Sequence, residues 1–265
     1  MNLNKTLPPL SVYIHIPWCV HKCPYCDFNS HEIKGSIDED AYTNHLIQDF
    51  KNDAKYIQGR EIQTIFIGGG TPNSLKASSI GKILDFIKDN YKVSKDLEVT
   101  MEANPGAFNT EYFQEYVDNG VNRISIGVQS FQSNKLAFLE RIHSKDDAIK
   151  VIKHLKTIKN LKSFNIDLMY GLKDQTLEDM QSDLKTAISL EPDHISWYQL
   201  TIEPNTRFFH DVPKNLPDDD YLYELSQSGL SILEEAGYKR YEISAYGKSK
   251  DVRCLHNLNY WKFGD

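Results

Sequence analysis

Three cysteines lie within eight positions near the start of the chain, at Cys19, Cys23 and Cys26. Thiolates bind soft metals, and cysteine sulfur is the usual ligand of iron–sulfur clusters. Structural zinc usually takes two ligand pairs, whereas this loop has three thiols and no second pair. Three thiolates on a 4Fe-4S cluster leave one iron with an open position, where a substrate can bind. The spacing therefore favours a 4Fe-4S cluster over zinc.

Two alternatives to a cluster stay open on spacing alone. His15, His21 and His31 are near enough in sequence to complete a zinc site with the thiols. The thiols could also be buried without any metal, as a free cysteine often is. The fourth cysteine, Cys254, is far from the others and is expected either to pack in the core or to contact a bound group.

A glycine run and three polar residues extend the candidate site. Residues 68–72 read GGGTP directly after a predicted strand, and glycines let a backbone approach a ligand closely. The alternative is a tight turn between a strand and a helix. Glu102, Gln129 and Asp167 each fall at or just past the end of a predicted strand. Polar residues in that position line the mouth of a parallel barrel, where its active sites lie.

Alternating strands and helices must position these residues. Strands are predicted over residues 11–16, 63–67, 97–102, 123–128, 164–170, 194–200 and 238–244. Helices are predicted over 38–57, 76–90 and 109–120, after N-caps at Ser144 and Thr176, and over 218–235. This alternation indicates βαβ units and a parallel sheet. We predict an α/β fold, a partial (β/α)6 barrel resembling a TIM barrel, with an open doubly wound sheet as the alternative.

Composition excludes several classes of protein. The 265 residues are 40% hydrophobic and 25% charged, as in an ordinary globular protein. The net charge of −7 argues against a nucleic-acid partner, because binding phosphates needs a basic surface. No apolar run reaches the roughly 18–20 residues that span a bilayer, so no transmembrane segment is predicted. Residues 1–10 contain no signal-peptide core, which favours a cytoplasmic location.

The cysteine spacing, with Tyr25 directly before the last cysteine, resembles the signature of radical SAM proteins. That resemblance implies that S-adenosylmethionine fills the open iron site. It implies further that an electron from the cluster cleaves the cofactor to a 5′-deoxyadenosyl radical. In this family the GGGTP run contacts the methionine part of the cofactor.

Longer motifs along nearly the whole chain resemble the oxygen-independent coproporphyrinogen III oxidase group. They are YIHIPWC from Tyr13, GGGTP, EANP from Glu102, GVQSF from Gly127 and DLMYGL from Asp167. The resemblance implies that cluster-bound S-adenosylmethionine contacts Tyr13, Gly69 and Glu102. Further residues match positions that hold a second molecule in the oxidase: Tyr25, Gly70, Thr71, Gln129, Arg141 and Asp167. Taken alone, Arg141 would be a solvated cation at a helix end.

Two departures from the oxidase branch point to a sister branch, the heme chaperones of the HemW type. Phe28 stands where the oxidases have a fourth cysteine, and Tyr13 lies almost at the start of the chain, without the longer arm of the oxidases. Residues 256–261 read HNLNYW, a run associated with heme binding in this branch. His256 is thereby implied as a heme ligand, with aromatics packing on the porphyrin. From its residue type alone it would be a packed core histidine.

The resemblance implies a heme chaperone that delivers heme to heme-accepting apoproteins, with respiratory-chain cytochromes among the candidates. The alternative is an oxygen-independent coproporphyrinogen III dehydrogenase, which Phe28 disfavours, and no catalytic residue is assigned. We expect a radical SAM core over 1–237 and the start of a C-terminal heme-related extension over 238–265. The dense aromatics at the end are expected to pack, and the natural chain to continue further. A homodimer is one option for the assembly.

Overall fold

The computed structural model describes residues 7–107 and 112–265. The predicted start of a helix near Asn109 lies outside these residues. The strands are β1 (Leu10–Ile16), β2 (Trp18–Cys19), β3 (His31–Glu32), β4 (Ile62–Gly69), β5 (Val93–Ala103), β6 (Arg123–Gln129), β7 (Ser163–Tyr170), β8 (His194–Gln199), β9 (Lys239–Arg240) and β10 (Ala245–Gly247). The α-helices are α1 (Glu39–Asp53), α2 (Ala77–Asn90), α3 (Phe113–Asp118), α4 (Ser133–Phe138), α5 (Lys145–Leu155), α6 (Leu177–Ser189), α7 (Arg207–His210), α8 (Asp219–Glu235) and α9 (Leu255–Trp261).

The strand order confirms the predicted fold class. Strands β1, β4, β5, β6, β7 and β8 are parallel neighbours in chain order, and helices separate them along the sequence. This is the arrangement of a partial (β/α)6 barrel. Strand β10 then pairs antiparallel with β8, and β9 pairs with β10, so a short hairpin extends this edge of the sheet.

One predicted strand is wrong. The pattern over residues 238–244 suggested a single strand, but the chain turns there and forms the two short strands β9 and β10. Glu242 accepts the backbone N–H of Ser244 and so stabilises the turn. The Tyr241 hydroxyl contacts His194 at 2.9 Å and accepts the N–H of Cys254 at 3.1 Å. These distant partners hold Tyr241 inside the turn.

The two faces of the sheet differ in polarity because side chains alternate along each strand. On the outer face Ile65, Ile124 and Ile166 are buried among helices, and the predicted apolar face of α5 packs there. The inner face carries polar residues at alternate positions: Thr64, Glu98, Glu102, Arg123, Ser125, Asn165, Asp167, His194 and Ser196. The interior of the barrel is therefore polar along much of its depth.

Local capping signals set several helix starts. Ser144 and Thr176 each form a reciprocal capping box with an aspartate three residues on, and Asp218 caps α8. These predicted starts are confirmed. The side-chain oxygens satisfy backbone N–H groups that have no partner within the helix.

The last helix lies on β1 and β4, and the end of the chain reaches the start of β1. The backbone of Asp265 accepts from Ser11 N–H at 2.7 Å and donates to Pro9 at 2.9 Å, and its side chain pairs with Arg60 at 2.6 Å. The expected packing of the terminal aromatics is wrong for Phe263, which is 92% exposed. Within the described ranges, no helix combines the length and the apolar character needed to cross a bilayer.

Candidate cofactor site

The cysteine loop is fixed at both ends by backbone hydrogen bonds. His31 N–H donates to Pro17 at 2.7 Å and Ile33 N–H donates to Cys19 at 2.9 Å, which aligns β2 with β3. Within the loop, Cys26 N–H donates to the Cys23 carbonyl at 3.2 Å. Together with Cys19, these two residues line a single cavity of about 350 Å³ at the carboxyl ends of the parallel strands.

The glycine run lies directly against the segment that leads into the cysteine loop. Gly70 N–H donates to Ile16, and Thr71 N–H donates to Trp18, each at 2.7 Å. A Cβ on Gly70 would lie 2.6 Å from the Trp18 carbonyl oxygen, so no larger residue fits. Gly69 has a φ of +109°, and a Cβ there would meet the ring of a nearby histidine at 2.6 Å. The close approach that the sequence indicated therefore requires glycine at both positions.

Most of the predicted site residues share this cavity. Its walls include Cys19, Cys23, Cys26, Tyr25, Gly70, Thr71, Glu102, Gln129, Arg141 and Asp167. Gly69 contacts the cavity wall through Glu102, because its N–H donates to the Glu102 carboxyl at 3.3 Å. Tyr13 lines a neighbouring cavity of about 310 Å³, whose walls also include Glu102 and Asp167. The fold thus gathers residues from separate strands and loops around the cysteines.

Arg141 lies against the cavity beside the cysteine loop. Its Nη2 donates to the Gly127 carbonyl at 2.7 Å, and its Nη1 lies 3.5 Å from Cys23 Sγ and 3.4 Å from the Tyr25 hydroxyl. A guanidinium stays charged in proteins. It therefore places a fixed positive charge where thiolate ligands of a cluster would carry negative charge.

Two carboxyl groups of the barrel interior lie at this cavity. Burial, and then the neighbouring Asp167, raises the pKa of Glu102 to about 8, while its hydrogen bond from Gly69 acts in the opposite direction. Asp167 accepts from Asn165 at 2.7 Å and from Ser125 at 3.1 Å, and burial raises its pKa. A cationic ligand would favour the ionised form of these groups, because a nearby opposite charge stabilises a carboxylate.

Gln129 has a strained backbone at the end of β6. Its φ is +71°, and the pairing of β6 with β7 is irregular between Gly127 and Gln129. The Tyr198 hydroxyl donates to Gln129 Oε1 at 2.7 Å and so fixes the amide. Such strain in a non-glycine residue is typical of functional sites. The sequence-based prediction missed Tyr198 and Ser125, although each belongs to a predicted strand that ends at this cavity.

His256 lies away from the cysteine loop, inside the barrel. It is 4% exposed, its Nδ1 lies 2.8 Å from Thr64 Oγ1, and its ring stacks on Phe66 with centroids 5.0 Å apart. Burial lowers the pKa of His256 to about 4, which leaves a neutral imidazole at neutral pH. The side chain lines the 310 Å³ cavity together with Tyr13 and with Cys254, the N-cap of α9.

The donor set suits a cluster better than a single zinc ion. In the described part of the chain, no three His, Cys, Asp or Glu side chains converge on one metal ion. His15 instead contacts the Tyr13 hydroxyl and the Asn29 carbonyl, and His21 bridges two glutamates. The three thiols surround a cavity rather than a point, which fits the larger body of an iron–sulfur cluster.

Known proteins with similar sequences agree with these features. The model of the radical SAM superfamily matches residues 13–187. The heme chaperone HemW of Escherichia coli (strain K12) is 54% identical over 259 residues, which are 98% of this chain and 68% of that protein. HemW of Bacillus subtilis (strain 168) is 38% identical over 255 residues, 95% of this chain and 66% of that protein.

A solved structure supports the same assignment. Coproporphyrinogen III oxidase (HemN) from Escherichia coli, described as a radical SAM enzyme, superposes with a TM-score of 0.83 and 26% identity. The match covers 93% of this chain but 57% of the oxidase chain, so this chain spans little more than half of that protein. The chain belongs to the radical SAM superfamily and, within it, to the family of HemW-type heme chaperones.

Proposed function

We propose that this protein binds heme and transfers it to acceptor proteins, and that it holds a 4Fe-4S cluster together with S-adenosylmethionine. The observation that carries the cofactor assignment is the convergence of the three cysteines and the other predicted residues on one cavity. Membership of the HemW-type family supports the heme function.

Cys19, Cys23 and Cys26 would hold the cluster, which when bound supplies one electron to S-adenosylmethionine. The chain's own residues prepare the space beside it. Glu102, once ionised, would supply a negative charge to a ligand that carries sulfonium and ammonium groups. Gln129, fixed by Tyr198, offers its amide nitrogen as a donor to a ligand acceptor group. We assign Tyr13, Gly69 and Glu102 to the first S-adenosylmethionine, and the remaining predicted contacts to a second.

Phe28 favours a chaperone over an oxidase. Its side chain is 53% exposed and lines the cavity at the position where the oxidase branch has a fourth cysteine. Lys22 Nζ donates to the Phe28 carbonyl at 3.1 Å and fixes the loop there. The rival function is oxidative decarboxylation of coproporphyrinogen III, and the structural likeness to the oxidase keeps it as the alternative to be tested.

The expected partners are heme-accepting apoproteins, with respiratory-chain cytochromes as candidates. We assign residues 1–237 to the radical SAM core and residues 238–265 to the start of a heme-related extension. Support for this division comes from α9, which carries His256 and follows the hairpin of β9 and β10. A homodimer is the assembly to be examined first.

Two assays on one anaerobically reconstituted sample test the proposal. Heme titration followed by the Soret band should show binding that His256→Ala weakens and His45→Ala, on the exposed side of α1, leaves unchanged. Incubation with coproporphyrinogen III, S-adenosylmethionine and a reductant should give no protoporphyrinogen. Equal heme affinity in wild type and His256→Ala would remove the ligand assignment, and product formation would establish the oxidase.

A further inference from the structure

The position of His256 does not fit a bound heme. An imidazole that ligates iron must present Nε2 to the open face of a planar macrocycle. His256 is 4% exposed, and the cavity of about 310 Å³ beside its ring is lined by the inner face of the barrel, by the turn between β9 and β10 and by α9 itself. The ring also stacks on Phe66 and meets Tyr260 edge-on, with centroids 5.0 and 5.2 Å away. A porphyrin can reach this histidine only if α9 leaves the barrel.

Glu98 holds the start of α9 in place. Its buried carboxylate accepts the N–H of Leu255 at 3.0 Å and the N–H of His256 at 3.1 Å, and lies 3.5 Å from the Cys254 thiol. Hydrogen bonds to a charged group are among the stronger ones in proteins. The Glu98 side chain on β5 therefore anchors the first turn of α9.

Thr64 fixes the imidazole of His256 in a specific tautomer. The Thr64 hydroxyl donates to Ser11 Oγ at 2.8 Å and lies 2.8 Å from His256 Nδ1. Because the hydroxyl proton is used on Ser11, Nδ1 carries the proton and donates to Thr64. Nε2 is then left with its lone pair, the form that an axial iron ligand needs. The imidazole of His256 is thus in the form that binds iron, but it is buried inside the barrel.

Arg123, on the neighbouring strand β6, is a buried cation without a close ion pair. It is 3% exposed, its Nε has no hydrogen-bond partner, and in residues 7–107 and 112–265 it forms no ion pair within 4.0 Å. The β5–β6 register pairs it with Thr100, two residues from Glu98 on the same face. A buried charge without a hydrogen-bonded partner is costly. Glu98 on β5, and less strongly Asp167 on β7, are the neighbouring carboxylates that raise the pKa of Arg123 against the effect of burial, so Glu98 is close enough to become its ion-pair partner.

We infer that α9 is a latch with two positions, and that Glu98 exchanges partners between them. In the closed position Glu98 binds the first turn of α9, and His256 is bonded to Thr64. In the open position Glu98 pairs with Arg123, and His256 is presented outside the barrel to heme. The exchange compensates for the lost helix contacts, so opening does not leave the carboxylate buried without a partner. The inference rests on the proposed function of His256 as the heme ligand.

Hydrogen–deuterium exchange tests the latch without heme. Thr64→Val removes a hydrogen bond made only in the closed position, and should speed amide exchange in residues 256–261 by roughly 2- to 10-fold. Thr100→Val is the matched control, because Thr100 is equally buried on the same face and its hydroxyl has no partner. It should leave those amides unchanged. Equal exchange in the two variants would overturn the latch.

Heme association, measured by stopped flow, tests what the latch controls. Thr64→Val should speed association by a factor similar to its effect on exchange, and Arg123→Gln should slow it several-fold, because Glu98 loses its partner in the open position. Faster exchange with an unchanged association rate would show that α9 does not gate heme. Unchanged heme affinity in His256→Ala would instead remove the proposed ligand, while the exchange result would still report on the helix.

Discussion

Gly70 controls how closely the glycine run approaches the cysteine loop. Gly70→Ala would place a Cβ 2.6 Å from the Trp18 carbonyl oxygen and 2.9 Å from the Ile16 carbonyl oxygen. Both obstacles are backbone atoms, so the two segments must separate. We expect the variant to keep less than half of the iron and sulfide that wild type takes up on reconstitution, as measured by elemental analysis.

The matched control is Gly59→Ala. Gly59 also has a positive φ, of +74°, but a Cβ there meets nothing within 4 Å. It should cost about 1 kcal/mol of stability through its backbone conformation and leave cluster loading intact. Equal loading in Gly70→Ala and wild type would show that the close approach is not required.

Glu102 should make the stability of the cofactor-free protein depend on pH. Burial raises its pKa to about 8 in the folded state, against an ordinary value near 4.3. The stabilisation by the protonated form is complete below the unfolded pKa and is lost as pH rises toward 8. Thermal unfolding should therefore show that Glu102→Gln gains several degrees relative to wild type between pH 5 and pH 8.

Glu234→Gln removes the same charge from an exposed position on α8 and serves as the reference. Its melting temperature should stay parallel to that of wild type over this pH range. Parallel profiles for Glu102→Gln as well would contradict the raised pKa of Glu102.

At the scale of elements, the capping box of α6 is a local source of stability. Thr176→Ala removes the side-chain acceptor for Asp179 N–H and breaks the reciprocal contact. We expect a loss of about 1 kcal/mol, measured by urea unfolding. Thr186→Ala, in the last turns of the same helix, removes only a bond to the Ser182 carbonyl and should change stability little. A similar loss in both variants would contradict the capping role.

The distance along the chain between contacting residues explains which elements could be predicted. The helix starts at Ser144 and Thr176 depend on partners three residues away, so the sequence alone predicts them. The same holds for the polar residues at strand ends, because parallel strands end at one edge. The hairpin of β9 and β10 depends instead on contacts of Tyr241 with His194 and Cys254, which no local pattern reveals.

The location of His256 illustrates the same limit for the site. Its sequence context indicated a heme contact, but its burial depends on Thr64 and Glu98, far away in the chain. The residue type alone suggested a packed core histidine, but nothing between residues 238 and 265 indicates which strands it packs against. The gathering of the three cysteines at one cavity was predictable because a compact motif carries them, whereas Tyr198 needed the fold to reveal its contact with Gln129.

At the scale of the whole molecule, the fold should not depend on the cluster. The apolar core lies on the outer face of the sheet, while the cysteine loop lies at the carboxyl ends of the strands. Replacing Cys19, Cys23 and Cys26 together by alanine should leave the far-ultraviolet circular dichroism unchanged and abolish iron uptake. Cys254→Ala should load iron like wild type, because this thiol is buried beside Glu98. Unfolding of the triple variant would show that the loop is structural.

Glu102, Ser125 and Asp167 belong to the walls of both cavities. They lie between the cavity that faces the cysteines and the cavity lined by α9. A ligand that ionises Glu102 from one side also changes the electric field on the other side. Because linkage between two sites is reciprocal, release of α9 would alter the ligand affinity of the cavity at the cysteines by the same factor by which a ligand there alters the release. The two cavities inside this barrel are therefore coupled electrostatically through the residues that they share.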